Sequence, residues 1–146
     1  MSRPIQNRTC IFCSIVAREA PASFVHEDEE LVAFMDINPV TPGHLLVVPR
    51  AHLPALADVP DTVAARMFTV AQRLAAALRS TELLTEGINL FYADGAAAFQ
   101  SVFHSHLHVI PRFRGDGFRF HIHRGADPSR AHLDEAAAVI RTAAAG

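Results

Sequence analysis

Three histidines alternate with other residues in the run His104-Ser105-His106-Leu107-His108-Val109-Ile110-Pro111. The segment 102–110 predicts a β-strand, closed by Pro111. Successive side chains on a strand point to opposite faces. The three imidazoles are therefore expected on one face, roughly 7 Å from one to the next. Ser105, Leu107 and Val109 are expected on the other, toward a core. Histidine is a poor residue for plain strand packing, and a buried one needs hydrogen-bond partners. Three readings fit such a row: a metal site, nucleophilic or acid–base chemistry by an imidazole that stays neutral near pH 7, or a polar strand facing solvent.

The rest of the chain reads as one α+β domain with a mostly antiparallel sheet and one principal helix. Short strands are expected at 24–26 and 31–35, joined by the acidic turn His26-Glu27-Asp28-Glu29-Glu30. The turn signals Asn38-Pro39 and Pro42-Gly43 precede an apolar strand at 45–48, ended by Pro49. Asp61 is the expected N-cap of the principal helix, where Val63, Met67, Val70, Leu74 and Leu78 recur at helical spacing. A strand at 88–92 and helices at 11–18 and 134–145 complete the set. Residues 1–9 read as a flexible arm and residues 10–146 as the single domain.

A chain of 146 residues can bury a proper core. Its net charge of −2 gives no support for a nucleic-acid partner, so an anionic substrate would need a local positive potential. No apolar run approaches the ~20 residues of a membrane span, and the N-terminus lacks the apolar region of a secretory signal. The expectation is a soluble cytoplasmic protein.

The only cysteines are Cys10 and Cys13. A C-x-x-C pair supplies half of a tetrahedral zinc site. It also permits a redox pair, but that reading wants a preceding strand in a βαβ unit, and none is expected before residue 10. Two plain thiols are the third option.

Taken together these segments resemble the histidine-triad (HIT) family, closest to its Hint-like bacterial branch. The resemblance rests on Cys10-Ile11-Phe12-Cys13, on Phe34-Met35-Asp36-Ile37-Asn38-Pro39, on the run from Gly43 through Pro49-Arg50-Ala51-His52, and on Gln100-Ser101-Val102-Phe103 before the histidines. It implies a HIT-like fold with a five-stranded sheet, one principal helix and shorter helices. It also implies a hydrolase that cleaves at the α-phosphorus of nucleoside 5′-phosphoramidates or related purine nucleotide conjugates. His106 would form a nucleotidyl-histidine intermediate that water then hydrolyses, and His108 would hydrogen-bond a non-bridging oxygen. The implied catalytic set is His106, His108, His104 and Ser101. Gln100 and Ser101 would sit near the phosphate and leaving group, and Asp36 would accept bonds from the ribose hydroxyls. Phe12, Phe34 and Ile37 would line the base pocket, although by residue type alone they read as core. The resemblance further implies a structural zinc held by Cys10, Cys13, His52 and His104, and a homodimer.

Three positions depart from the family pattern: Ala93 where relatives often carry Asn, Phe99 where many carry Gly, and Ser105 where an apolar residue is usual. The first two bear on leaving-group preference. They also keep open a nucleotide-binding or interaction protein with weak or no catalysis, and the resemblance leaves a dinucleoside polyphosphate hydrolase as a second enzymatic option. His44, beside the Gly43 turn, reads as structural or exposed.

Overall fold

A computed structural model describes residues 9–146. The expected N-terminal arm therefore lies, apart from Thr9, outside the described residues. The elements in chain order are α1 (Ile11–Val16), β1 (Phe24–Glu27), β2 (Leu31–Met35), β3 (Leu45–Pro49), α2 (Asp61–Arg79), β4 (Gly87–Tyr92), β5 (Leu107–Arg112) and α3 (Arg130–Ala144). The strands form one five-stranded antiparallel sheet in the order β1-β2-β3-β5-β4.

Strands β2 and β3 read as unbroken apolar runs because both of their faces are covered. Leu31, Ala33, Leu45, Val47, Leu107 and Val109 pack against Met67, Val70, Ala71 and Leu78 of α2. On the opposite face Val32, Phe34, Leu46 and Val48 pack against Phe12, Ile15 and Val16 of α1. Each fully buried aliphatic side chain contributes about 1.5–3 kcal/mol. Phe12 of α1 also reaches the rings of His104 and His106 on this same face.

Gly43 has φ +94°, and a Cβ there would lie 3.1–3.2 Å from Leu78, Leu83 and Pro111. Only glycine lets this turn approach α2 and β5 so closely. The turn is closed by the His44 N–H donating to the Thr41 carbonyl at 3.1 Å, and it delivers His44 to the start of β3.

Three sequence expectations change. Pro60, not Asp61, occupies the N-cap position of α2 and gives no side-chain cap. Its fixed extended backbone moves the helix start to Asp61, whose carboxylate still favours the positive end of the helix dipole. The strand expected over 102–110 begins only at Leu107. The reason lies in β3, whose pairing with β5 ends at Val47↔Leu107. Beyond it Pro49 has no N–H to offer. Pro111 does not close β5 but pairs with Ile88. It is tolerated because the β3 ladder has already ended at Val109.

Candidate active site

The chain segment before β5 lacks a strand partner, yet it is tightly held. The Ser105 N–H donates to the Leu53 carbonyl at 2.7 Å. The three histidines share the α1 face, as alternation predicts: Phe12 packs against both His104 and His106, and the His106 ring packs against His108. Their polar partners differ and split them into two groups.

His104 is fully buried and turns toward the cysteines. Its Nδ1 lies 3.5 Å from Cys10 Sγ and 3.6 Å from Cys13 Sγ, and His52 Nδ1 lies 3.3 Å from Cys13 Sγ. Zinc bonds of about 2.3 Å to sulfur and 2.0–2.1 Å to nitrogen give a tetrahedral sulfur–nitrogen edge of about 3.6 Å. The spacing therefore matches a closed four-ligand site. The tautomer matches too. His104 Nε2–H donates to the Pro49 carbonyl at 2.7 Å, which leaves the Nδ1 lone pair facing the thiols. A metal-bound histidine commonly donates its second nitrogen in this way. Burial, with the His52 and His106 rings nearby, lowers the His104 pKa to about 4, so the ring is neutral at pH 7. Cys10, Cys13, His52 and His104 thus fit a metal in spacing and donor type.

His106 has the opposite tautomer. Its Nδ1–H donates to the His104 carbonyl at 2.7 Å, leaving Nε2 as the free lone pair. Burial lowers its pKa against the opposing effects of this hydrogen bond and of Asp36. The Phe12 ring packs edge-on against His106 with centroids 5.1 Å apart, and the His108 ring lies 4.9 Å away.

His108 is oriented by His44, which follows the Gly43 turn. His44 is 3% exposed. Its Nδ1 accepts from the Val40 backbone N–H at 3.0 Å, so its proton must sit on Nε2. That Nε2 donates to His108 Nδ1 at 2.9 Å. The proton of His108 is then on Nε2, as a free donor. Burial and the neighbouring His106 and His44 rings hold the His108 pKa down to about 4. The Asp36 carboxylate, at the end of β2, lies 3.5 Å from His44 Nε2 and 3.9 Å from His108 Nδ1. Its other oxygen accepts from the Asn38 N–H at 2.8 Å.

The remaining expected residues divide. Phe34 is 2% exposed and belongs to the core, whereas Ile37, just beyond β2, is 91% exposed. Gln100 braces its loop: its carbonyl oxygen accepts from the Gly95 N–H, and its amide donates to the Pro54 and Val102 carbonyls. Ser101 is exposed, and among the described residues its hydroxyl is not bonded to an imidazole.

The HIT domain matches residues 17–115 of the sequence. The chain belongs to the HIT family. A crystal structure of a HIT-family member from Bacillus subtilis has a TM-score of 0.85 at 38% identity, covering 92% of this chain and 96% of that one. A zinc-bound histidine triad family protein from Mycobacterium smegmatis has a TM-score of 0.74 at 43% identity, covering 88% and 97%. The adenylylsulfatase HINT3 of Arabidopsis thaliana is 36% identical over 79% of this chain and 57% of its own length. Among the described residues of this HIT domain, no helix is long and apolar enough to cross a membrane.

Chemically, the site pairs a bare ring nitrogen on His106 with a ring N–H on His108. A lone pair and a donor side by side suit attack on a phosphorus whose oxygen gains negative charge.

Proposed function

We propose that this HIT domain hydrolyses nucleoside 5′-phosphoramidates or related purine nucleotide conjugates at the α-phosphorus. The observation that carries the reading is the His106 tautomer, fixed by the 2.7 Å bond to the His104 carbonyl, which makes Nε2 the nucleophile. His106 Nε2 bonds to phosphorus as the phosphorus–nitrogen bond breaks, and the ring takes the positive charge. The leaving nitrogen takes a proton from solvent water and departs as the neutral amine; the hydrolysing water later returns one proton to solvent. Water then attacks the nucleotidyl-histidine. The nucleoside monophosphate leaves and His106 returns to its starting form. His108 Nε2–H stabilises the charge that develops on a non-bridging oxygen. Asp36 binds the ribose hydroxyls, and the exposed Ile37 flanks the base, while Phe12, buried with Phe34, backs the His106 ring. Ser101 and the Gln100-braced loop lie toward the leaving group. His104 contributes through its carbonyl.

Zinc, when bound, supplies no chemistry to the reaction. Cys10, Cys13, His52 and His104 would hold it, and it would tie α1 to the segment before β5. The fit of these four groups and the zinc-bound Mycobacterium smegmatis relative support this part. The named activity of the Arabidopsis thaliana relative supports a second substrate, adenylyl sulfate, attacked at the same phosphorus with sulfate as leaving group. A homodimer through the free edge of β4 and the outer face of α2 would cover Leu90 and Phe68, which are exposed in the single chain.

The test is release of AMP from adenosine 5′-phosphoramidate by wild type and His106→Ala. Loss of the nucleophile should lower kcat/KM by about 10⁴-fold or more. A His106→Ala variant within tenfold of wild type refutes the reading.

A further inference from the structure

Phe99 has φ +68° and ψ 22°, the left-handed conformation that a side chain disfavours and glycine accepts readily. Its side chain is nonetheless 86% exposed. The loop around it is not loose. The Ala98 and Gln100 N–H groups donate to the Gly95 carbonyl at 3.1 Å, and the Phe99 N–H donates to the Ala96 carbonyl at 3.0 Å. Gln100 fastens the same loop through bonds to Gly95, Pro54 and Val102. A rigid scaffold thus holds an aromatic ring in water, in a backbone conformation that works against it.

The position of the loop says what the ring can meet. From Asp36 the site runs past His108, 3.9 Å away, to His106, the next ring along at 4.9 Å. This line follows β5 toward its N-terminal end. Strand β4 leaves the sheet at the same end, at Tyr92↔Leu107, and continues into the Phe99 loop. A ligand with its ribose at Asp36 and its phosphorus at His106 would point its other end toward the end of the sheet from which the Phe99 loop departs.

We propose that Phe99 is a specificity-determining residue that stacks on a planar aromatic leaving group. The proposal rests on the reading of the site as an α-phosphorus hydrolase with Asp36 at the ribose. Because the loop backbone is already hydrogen-bonded, little backbone freedom is lost on binding. Stacking of a planar ring on an aromatic side chain corresponds to roughly 5- to 150-fold in affinity.

The experiment compares adenosine 5′-phosphoramidates of 2-phenylethylamine and ethylamine. These share the nucleotide and the scissile bond and differ in the ring. In wild type the phenylethyl conjugate should have a kcat/KM higher by roughly 5- to 150-fold. The ratio should fall toward one in Phe99→Gly, which suits the backbone, and stay intermediate in Phe99→Leu, which keeps bulk without a π face. An unchanged ratio in Phe99→Gly overturns the proposal. So does an equal rise of both rates, which would make Phe99 a mere obstruction. The dissociation constants of both conjugates for His106→Ala, with and without Phe99→Gly, separate this proposal from the catalytic reading. If wild type cleaves neither conjugate, the hydrolase reading fails. A Phe99-dependent affinity ratio would still support the stacking contact, and equal affinities would refute it.

Discussion

Replacing His44 by leucine keeps an apolar body of similar size and removes both ring nitrogens. Two groups then lose their partner: the Val40 N–H, bonded at 3.0 Å, and His108 Nδ1, bonded at 2.9 Å. An unsatisfied group at a buried site costs about 1–3 kcal/mol, so the variant should remain folded but be measurably weaker. The larger effect is on His108. Without a donor at Nδ1, its proton can move to that nitrogen and face the Asp36 carboxylate 3.9 Å away. Nε2 would then present a lone pair to the phosphoryl oxygen. Losing one transition-state donor of this kind lowers kcat by about 10²–10³-fold. His44 acts through His108 and does not itself meet the phosphorus, so KM should change much less than kcat. Glutamine at position 44 offers both an acceptor for Val40 and a donor for His108, and should recover at least about tenfold of the lost kcat. The assay is steady-state AMP release by chromatography, with thermal unfolding in parallel. A His44→Leu kcat within about threefold of wild type would refute the relay from Val40 through His44 to His108. So would a folded His44→Gln no faster than His44→Leu.

Purified under reducing, chelator-free conditions, the protein should carry one zinc per chain by elemental analysis, and Cys13→Ser should lose it. A ligand at a thousandfold excess over its dissociation constant stabilises by about 4 kcal/mol, so metal removal should lower Tm by about 10 °C. Absence of zinc from the wild type, or an unchanged Tm on its removal, would contradict the four-ligand site. Stability should also fall in mild acid. The His108 pKa is lowered from 6.5 to about 4, so below pH 6.5 the unfolded chain takes up a proton that the folded chain refuses until about pH 4. This contribution is complete above pH 6.5 and is lost as pH falls to 4, a change of order 3 kcal/mol. Urea midpoints between pH 7 and 5 should fall less steeply in His108→Gln, and equal slopes would contradict the assignment.

Much of the sheet was legible because two-sided burial writes itself as unbroken apolar runs at 31–35 and 45–48, and the period of Met67, Val70 and Leu78 marks the buried face of α2. The start of β5 was not legible. Residue types at 102–106 suit a strand, but pairing depends on β3, whose ladder to β5 stops at Val47. His44 was missed for the same reason, since its bond to His108 spans 64 residues. The visible clue was parity. His44 shares a strand face with Leu46, which pairs with His108. Residue type also failed to separate Phe34 from Ile37, both apolar and three residues apart. One lies inside β2 and is buried, while the other lies just past its end and faces solvent. The division of the histidines between cysteines and phosphorus chemistry came from the resemblance. Alternation alone had placed all three on one face, and the 3.5 Å and 3.6 Å contacts from His104 to the thiols agree with the division.

The central claim is that His106 Nε2 attacks phosphorus. It is tested most directly by quenching a single turnover of adenosine 5′-phosphoramidate within the first turnover and mapping the adenylyl group by peptide mass spectrometry. The account predicts one adenylyl group per chain, on His106, that decays as AMP appears and is absent in His106→Ala. An adenylyl group on any other residue, or AMP released at full rate by His106→Ala, would contradict it.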